Sequence, residues 1–330
     1  MRGSLRKGAE QAVNVCMKVK RTEKVVVITD RKTMVVGKAI ADAAKKITKR
    51  VELYNLDKYG ERPLKKLPDE IRKTLQDTDV SFLAVDVAAD KNLNERITVR
   101  RPIREIVLGH KGRHAGMPCV TKEMLETGLS ADYNEIKRIS KKVYDKVKNA
   151  KKIVVKNEMG ADLTATFSRK LKWLVCDGCI RPGHWSNLPD GEVFTSPKNV
   201  NGKAVVVLMG DVYRKPLKKP VIYHIKNSRI EKIECSDTKL KAALWKYFRK
   251  YKNGDRIGEF AVGTNIGVKK FVGRMLQDEK HPGVHIAFGS PYPAETGAKW
   301  DCKSHNDQIM IKTDIFVDGK QIMKKGKFLL

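Results

Sequence analysis

The fold of the amino-terminal part is indicated by residues 24–56, KVVVITDRKTMVVGKAIADAAKKITKRVELYNL. Lys24 to Asp30 is a short run rich in β-branched residues, which favours a buried strand. Val35 to Ile47 repeats apolar residues at helical spacing, and Val51 to Leu56 returns to a strand pattern. The stretch therefore predicts two parallel strands joined by a crossover helix.

The same alternation continues towards residue 150. Ile71 to Leu75 and Asn94 to Leu108 have helical patterns, Val80 to Val87 is a buried-strand candidate, and Asp132 to Lys148 predicts a long helix. Strands that alternate with helices indicate an α/β domain whose parallel sheet is covered by helices on both faces. No Gly-x-Gly-x-x-Gly follows the first strand, so the sequence does not support dinucleotide binding.

Beyond Lys152 the pattern changes to short β-rich segments separated by Gly, Pro, Asn and Asp, which are turn residues. Helices are expected at Thr238 to Lys252 and at Val268 to Asp278. The chain of 330 residues also exceeds the usual size of a single core. We therefore predict two domains: an α/β domain at 1–150, and a mostly antiparallel, β-rich metal-binding domain at 151–330. The strands expected in the second domain are Ile153 to Lys156, Asp162 to Phe167, Ala204 to Met209, Val221 to Ile225 and Ile230 to Ile233.

Composition narrows the class of protein. Hydrophobic residues make up 41% and charged residues 32% of the chain, which is typical of a globular protein. No apolar run approaches the roughly 20 residues that span a bilayer, and the first residues lack the apolar stretch of a secretory signal. Six scattered cysteines do not resemble a disulfide framework. We therefore expect a cytoplasmic protein with reduced thiols and no membrane association.

The formal charge of +30 raises the alternative of a nucleic-acid partner, because clustered Lys and Arg bind phosphates. Lysines occur along almost the whole chain, however. The densest segment, Lys137 to Lys152, is interrupted by apolar residues at helical spacing, which is typical of a solvated helix face. No recognition helix, zinc finger or aromatic ribonucleoprotein motif is present, so this alternative has no supporting motif.

Candidate metal ligands concentrate in the second domain. His305 and Asp307 are two residues apart, so on a strand their side chains project from the same face. His285 lies inside an apolar stretch, where an imidazole needs a partner for its nitrogens. Glu192 and Glu259 each precede apolar residues, and buried carboxylates are costly unless they are paired or bind a cation.

Two histidines and three carboxylates suit zinc, cobalt, manganese or ferrous iron. Five ligands exceed the needs of one tetrahedral zinc, whereas a carboxylate that bridges two ions would use them all. A paired-metal site activates water and polarises a carbonyl group, which favours hydrolysis of an amide.

At these residues the sequence resembles the aminopeptidase T and leucyl aminopeptidase family of dinuclear metallopeptidases. In the second domain the resemblance lies in NLPDGEVFTSP (187–197), GEFAVGTN (258–265) and DEKHPGVHIAFG (278–289). Three earlier segments also match, namely KVKRTEKVVVITD (18–30), GRHAGMPCVTKEML (112–125) and SADYNEIKRIS (130–140). The resemblance thus extends over most of the chain.

The resemblance implies a role for six residues. Glu192, Glu259, His285, His305 and Asp307 would bind two divalent ions per chain, which could be Zn, Co or Mn. Tyr292 would be an active-site phenol that orients the substrate or stabilises the developing oxyanion, although a structural phenol is the alternative. The bridging ligand is assumed to be Glu259, and no separate general base is assigned.

The expected function is therefore a cytoplasmic, homodimeric aminopeptidase that acts on peptides. One alternative is a ring-cleaving dioxygenase of the same superfamily with a single Fe(II), because the short connection from His285 to His305 is compatible with that branch. Glu192 and Glu259 favour the peptidase, since a mononuclear site would leave one of them idle. A basic nucleic-acid-binding protein with an inactive metal fold is a second alternative, and an intact site that serves only for binding is a third.

Overall fold

The computed structural model describes residues 4–87, 94–210, 212–213 and 215–330. Short π segments at Gln11–Cys16 and Arg96–Arg100 and 3-10 turns at Leu56–Lys58 and Gly128–Ser130 accompany the α-helices. The α-helices are α1 (Leu5–Glu10), α2 (Met34–Lys45), α3 (Asp69–Leu75), α4 (Arg101–Gly109), α5 (Lys122–Glu126), α6 (Tyr133–Val147), α7 (Thr238–Phe248), α8 (Met275–Asp278) and α9 (Pro293–Thr296). The strands are β1 (Val25–Thr29), β2 (Val51–Asn55), β3 (Val80–Val85), β4 (Arg113–Pro118), β5 (Lys152–Lys156), β6 (Asp162–Thr166), β7 (Leu174–Cys176), β8 (Trp185–Asn187), β9 (Glu192–Thr195), β10 (Asn199–Val206), β11 (Leu208–Met209), β12 (Val221–Lys226), β13 (Arg229–Glu234), β14 (Ile257–Gly263), β15 (Gly283–Gly289), β16 (His305–Met310), β17 (Asp314–Val317), β18 (Lys320–Lys324) and β19 (Lys327–Phe328).

These elements form two compact units. The first comprises the chain up to Glu135 together with Gly178–Asp190, and the second comprises Ile136–Asp177 and Gly191–Leu330. The units differ from the expected ranges of 1–150 and 151–330, because most of α6 lies in the second unit and residues 178–190 belong to the first. A compact unit is not by itself an independently folding domain, so the domain ranges stay a prediction.

The first unit contains a five-stranded sheet in the order β2-β1-β3-β4-β8, and every pair in it is parallel. Val25 of β1 pairs with Val51 of β2 and with Val80 of β3. All residues of β1 and β3 are buried, because neither face of these central strands meets solvent. The predicted α/β fold with a covered parallel sheet is confirmed.

The second unit contains two antiparallel sheets, which confirms the β-rich prediction. One has eight strands in the order β13-β12-β10-β6-β5-β17-β18-β19, and the other has six in the order β11-β16-β15-β14-β9-β7. Apolar residues of both sheets and of α7 form one core, which includes Phe248, Phe260 and Phe288. The six-stranded sheet carries the candidate metal ligands.

The helix expected at Val268 to Asp278 is mostly wrong, since only α8 is helical. Gly273 has a positive φ of 72°, and Arg274 is extended before the helix begins. The carboxylate of Asp278 accepts hydrogen bonds from the backbone N–H groups of Val272 and Arg274, so it closes the preceding residues into a loop. Local side-chain capping of this kind competes with helical hydrogen bonds.

The composition of the chain led to expectations about its cysteines and about membrane-spanning helices. No disulfide bond joins any two of the six cysteines in the structure. Among the helices that the structure describes, none is long and apolar enough to cross a membrane.

Candidate metal centre

Four adjacent strands of the six-stranded sheet bring the candidate ligands together. The strands lie in the order β16-β15-β14-β9, and each neighbouring pair is antiparallel. Glu192 begins β9, whereas Glu259 and His285 lie within β14 and β15. His305 begins β16, and Asp307 follows on the same strand, which confirms the predicted strand geometry of this pair.

The strand register places these side chains on one face of the sheet. Glu259 lies directly opposite Ala287, and Ala287 in turn lies opposite Asp307. Directly opposite residues of an antiparallel pair share a face, and so do residues two apart along a strand. His285, two residues before Ala287, and His305, two residues before Asp307, therefore lie on the same face.

Glu192 reaches this face through its pairing with Gly263, because Gly263 is an even number of residues beyond Glu259 on β14. The other positions between the candidate ligands on this face are also small, namely Ala261, Ala287 and Gly289. The small residues leave room beside the long carboxylate and imidazole side chains, so these can converge above the sheet.

Glu259 lies at the centre of the cluster and directs its two carboxylate oxygens to different histidines. Its Oε1 is 3.2 Å from Nε2 of His285, and its Oε2 is 3.5 Å from Nε2 of His305. His305 Nε2 is also 3.2 Å from Oδ1 of Asp307, and His285 Nε2 is 3.4 Å from Oε2 of Glu192. The five residues therefore form two groups that share Glu259.

The ligand atoms of each group lie close enough together to hold one metal ion. Glu192, Glu259 and His285 each offer one ligand atom, and these atoms lie within 4.8 Å of one another. Glu259, His305 and Asp307 do the same. Both groups are mostly buried, and a buried group of oxygen and nitrogen donors suits a divalent cation.

One buried atom of the first group supports this interpretation. Oε2 of Glu192 has no hydrogen-bond partner among the described residues. A buried polar atom without a hydrogen bond is costly, and metal coordination is one way in which a carboxylate oxygen is satisfied. The donor set thus fits the divalent metal that the resemblance implies.

The outer ring nitrogen of His305 is fixed by the backbone. Its Nδ1 lies 3.0 Å from the carbonyl oxygen of Ser290, so an N–H at this position donates to that oxygen. Such a contact selects the tautomer in which Nε2 is free to bind a metal. The tautomer therefore supports His305 as a ligand through Nε2.

Without metal, the carboxylates raise the proton affinity of both histidines. Burial lowers the pKa of His285, but the hydrogen bond with Glu259 and the charges of Glu192, Glu259 and Asp307 outweigh it and raise the pKa to about 9. Burial also lowers the pKa of His305, but the charges of Asp307 and Glu259 outweigh this effect and raise the pKa to about 10. A cation at this place thus replaces protons as the partner of the carboxylates.

Tyr292 lies beside the second group. Its ring centroid is 4.6 Å from that of His305 and 5.9 Å from that of Phe194. Its φ of 50° is in the left-handed region, which costs a non-glycine residue about 1–2 kcal/mol. Although 39% of the residue is exposed, desolvation and the charges of Glu259 and Asp307 hold the pKa of its phenol well above the usual value. The phenol therefore remains a hydrogen-bond donor at neutral pH.

Sequence reasoning missed two neighbours of the cluster, Glu279 and Lys280. Nζ of Lys280 lies 2.6 Å from Oε1 of Glu192 and 2.8 Å from Oε1 of Glu279. Burial raises the pKa of Glu279 to about 8; the charge of Lys280 opposes this rise, and the charges of Asp307 and Glu192 add to it. Both residues lie in the DEKHPGVHIAFG segment. Three consecutive charged residues are usually a solvated turn, so neither the burial of Lys280 nor the 15% side-chain exposure of Glu279 was expected.

Comparison with known proteins identifies both the fold and the family. The structure of 2,5-dihydroxypyridine dioxygenase from Pseudomonas putida KT2440 superposes with a TM-score of 0.71 at 18% identity, over 98% of this chain and 96% of that chain. AmpT from Thermus thermophilus superposes with a TM-score of 0.70 at 15% identity, over 99% of both chains. No match was found among curated proteins.

At such low identity the two solved structures show the fold alone, whereas the sequence profile of the thermophilic metalloprotease family, M29, matches residues 128–322. This match covers more than half of the chain and includes all five candidate ligands and Tyr292. It confirms the resemblance to the aminopeptidase T family, and a metalloprotease family implies a divalent metal. The chain therefore belongs to the thermophilic metalloprotease family M29, whose members are metallopeptidases.

Proposed function

We propose that this protein is an aminopeptidase that removes amino-terminal residues from peptides with two divalent ions per chain. The observation that carries the proposal is the position of Glu259, whose two oxygens face His285 and His305 separately. A carboxylate shared in this way suits a bridging ligand between two ions. Glu192 and His285 would complete one site, and His305 and Asp307 the other.

When bound, a pair of divalent ions would lower the pKa of a water molecule and polarise the carbonyl group of the scissile bond. The chain's own residues would set the positions of the reactants. The carboxylates and imidazoles lie on four strands that each have a neighbouring strand on both sides, and most of these ligand residues are buried. Pre-organisation of this kind lets the site act without rearrangement during the reaction.

Tyr292 is proposed to stabilise the oxyanion that develops on the substrate carbonyl. Its raised pKa keeps the O–H group protonated at neutral pH, so the phenol can donate a hydrogen bond. Contacts with the rings of His305 and Phe194 hold the phenol beside the second group of ligands. A positioned donor of this kind contributes when charge appears in the transition state.

The involvement of both glutamates favours the peptidase over the dioxygenase. A mononuclear site that uses a histidine and carboxylate arrangement would leave Glu192 or Glu259 without a metal. Each of these residues instead belongs to a group of close ligand atoms, and Glu259 belongs to both. The fold itself does not separate the two activities, since it is shared with a dioxygenase and with AmpT.

The test combines elemental analysis with a leucyl-anilide hydrolysis assay on the same purified samples. We expect two divalent ions per chain in the wild-type protein, with Zn, Co or Mn as the native metal, and loss of hydrolysis in Glu259→Ala and His305→Ala. Glu158→Ala is the matched control, because Glu158 is an exposed carboxylate that pairs with Lys325. One iron per chain, no hydrolysis and oxygen uptake with dihydroxypyridine would instead establish the dioxygenase.

A preference for amino-terminal leucine, a cytoplasmic location and a homodimer are further parts of this proposal. They come from the family resemblance and from the composition of the chain. A nucleic-acid partner stays an alternative that rests on the formal charge of +30 alone.

A further inference from the structure

Lys280 is an almost fully buried lysine next to the candidate metal centre. Only 4% of its side chain is exposed. A buried ammonium group is costly unless it is paired with negative charge. Lys280 is paired with two carboxylates, those of Glu192 and Glu279, and the first of these is a candidate metal ligand.

The contact with Lys280 makes the two oxygens of Glu192 different. Oε1 lies 2.6 Å from the lysine nitrogen, whereas Oε2 lies 3.4 Å from Nε2 of His285 and has no hydrogen-bond partner among the described residues. A carboxylate binds a metal through one oxygen or through both. In this arrangement the strong hydrogen bond from Lys280 occupies Oε1, and Oε2 is the oxygen turned towards the other ligands.

The backbone around Lys280 is held at both of its hydrogen-bonding groups. Its N–H donates to the carbonyl oxygen of Gln277 at 2.9 Å, and its own carbonyl oxygen accepts from the N–H of Asn265 at 3.0 Å. Asn265 follows β14, the strand that carries Glu259. The ammonium group is therefore presented to Glu192 from a fixed position.

We propose that Lys280 is a positioning residue that holds Oε1 of Glu192, so that this carboxylate binds the ion shared with Glu259 and His285 through Oε2 alone. The inference rests on the two-ion centre of the proposed function. Hydrogen-bond partners of ligating carboxylates fix ligand orientation, and their loss typically weakens metal binding about 10- to 100-fold.

The variant must separate the contact with Glu192 from new binding by Glu279. Lys280→Met alone would leave the carboxyl group of Glu279 without this lysine, and a carboxyl group at this place could itself bind a cation. The double variant Lys280→Met/Glu279→Gln removes both side chains of the pair, so the carboxyl group of Glu279 cannot replace the lost contact. Lys24→Met is the control, because Lys24 is another mostly buried lysine with two carboxylate partners, but it lies in the first unit.

The experiment is a stepwise titration of the metal-free proteins with Zn²⁺ in the presence of a chromophoric chelator. Glu192→Gln identifies the binding step that belongs to the first group of ligands. We expect the double variant to weaken this same step about 10- to 100-fold and to leave the other step within about threefold of wild type. Lys24→Met should leave both steps unchanged.

Wild-type constants for both steps in the double variant would overturn the proposal, as would weakening only of the step that Asp307→Asn affects. If the double variant fails to fold, a crystal structure of the metal-loaded wild-type protein tests the proposal instead. Glu192 bound through Oε2, with Oε1 on Lys280, supports the proposal, and coordination through both oxygens overturns it. Peptide hydrolysis is measured separately, so failure of the proposed function is distinguishable from failure of this inference.

Discussion

Glu259 presents one carboxylate oxygen to each of two histidines, whereas His285, His305 and Asp307 each belong to one group of close ligand atoms only. Removal of Glu259 and removal of an outer ligand should therefore have different consequences. The identities of these residues were predictable, since a histidine or carboxylate next to apolar residues needs a partner. The pairing of each oxygen was not, because it depends on rotamers that only the folded sheet determines.

Glu259→Gln should weaken both metal-binding steps, because the amide supplies only one good acceptor and loses the charge. Glu192→Gln should weaken only one step, and Asp307→Asn only the other. We expect each affected step to weaken by at least the ~10- to 100-fold seen when an outer-shell partner is lost. Stepwise Zn²⁺ titration measures this, and equal effects of all three variants on both steps would contradict the shared position of Glu259.

Tyr292→Phe should lower kcat about 10²- to 10³-fold, as expected when one oxyanion donor is removed. The ring contacts with His305 and Phe194 are retained by phenylalanine, so metal content should not change. Steady-state hydrolysis of a leucyl anilide together with elemental analysis tests this. A wild-type kcat in this variant would show that the phenol is only structural.

His114 gives the first unit an acid-sensitive group. Burial, with smaller contributions from the charges of Arg104 and Arg100, lowers its pKa to about 3. An unfolded histidine titrates near 6.5, so between about pH 6.5 and pH 3 the unfolded state binds more protons than the folded state. The free energy of unfolding therefore falls as pH falls through this window, by up to about 1.4 kcal/mol per pH unit.

His114→Gln should remove this part of the pH dependence. Urea unfolding at pH 7 and pH 5 would show a smaller loss of stability on acidification than in the wild-type protein. His184→Gln is the control, because it makes the same histidine-to-glutamine change at an exposed position of the first unit. An unchanged difference between the two pH values in His114→Gln would refute the interpretation.

At the scale of the element, the face of β14 and β15 that carries Glu259 and His285 has only small residues at its neighbouring positions, such as Ala287 and Gly289. Gly289 of β15 lies opposite His305, and its φ is 107°. A Cβ at this position would lie 2.1 Å from the carbonyl oxygen of Ser304, the residue before His305. The apolar stretches beside Glu259 and around His285 are visible in the sequence, but neither was predicted as a strand. The close approach to Ser304 was not predicted either, because it depends on how β15 and β16 pair.

Gly289→Ala should therefore displace the start of β16 and weaken the metal-binding step that involves His305 and Asp307. It should also lower the free energy of unfolding by more than the ~1–2 kcal/mol expected from a positive φ alone. Gly319→Ala is the matched control, since its φ is 89° and nothing lies within 4 Å of the added Cβ. Similar losses of stability in the two variants would contradict the importance of the contact with Ser304.

At the scale of the whole molecule, stability, metal content and pH are linked. Ions that bind only the folded chain stabilise it, by about 2.7 kcal/mol at a free concentration 100 times the Kd. Without metal, the pKa of His285 is about 9 and that of His305 about 10, so both side chains are positively charged imidazolium groups at pH 7. Metal binding at neutral pH must therefore release protons.

The expected result is that metal affinity rises with pH up to about pH 10, the pKa of His305, and that the ions are lost on acidification. Tm of the loaded protein should exceed that of the chelated protein at pH 8, and the difference should shrink towards pH 5.5. Calorimetric titration in two buffers with different ionisation enthalpies counts the released protons. Metal retained in full at low pH would contradict this ligand set.

The amino-acid sequence by itself determined the α/β pattern of the first part, the β-rich second part and the identities of the candidate ligands. These follow from local periodicity and from the cost of burying charge, both of which a short segment expresses. Tertiary structure alone decided the strand order β16-β15-β14-β9, the shared position of Glu259 and the burial of Lys280 against Glu192. Strand order and register join segments far apart in the chain, and no local pattern encodes which segments pair.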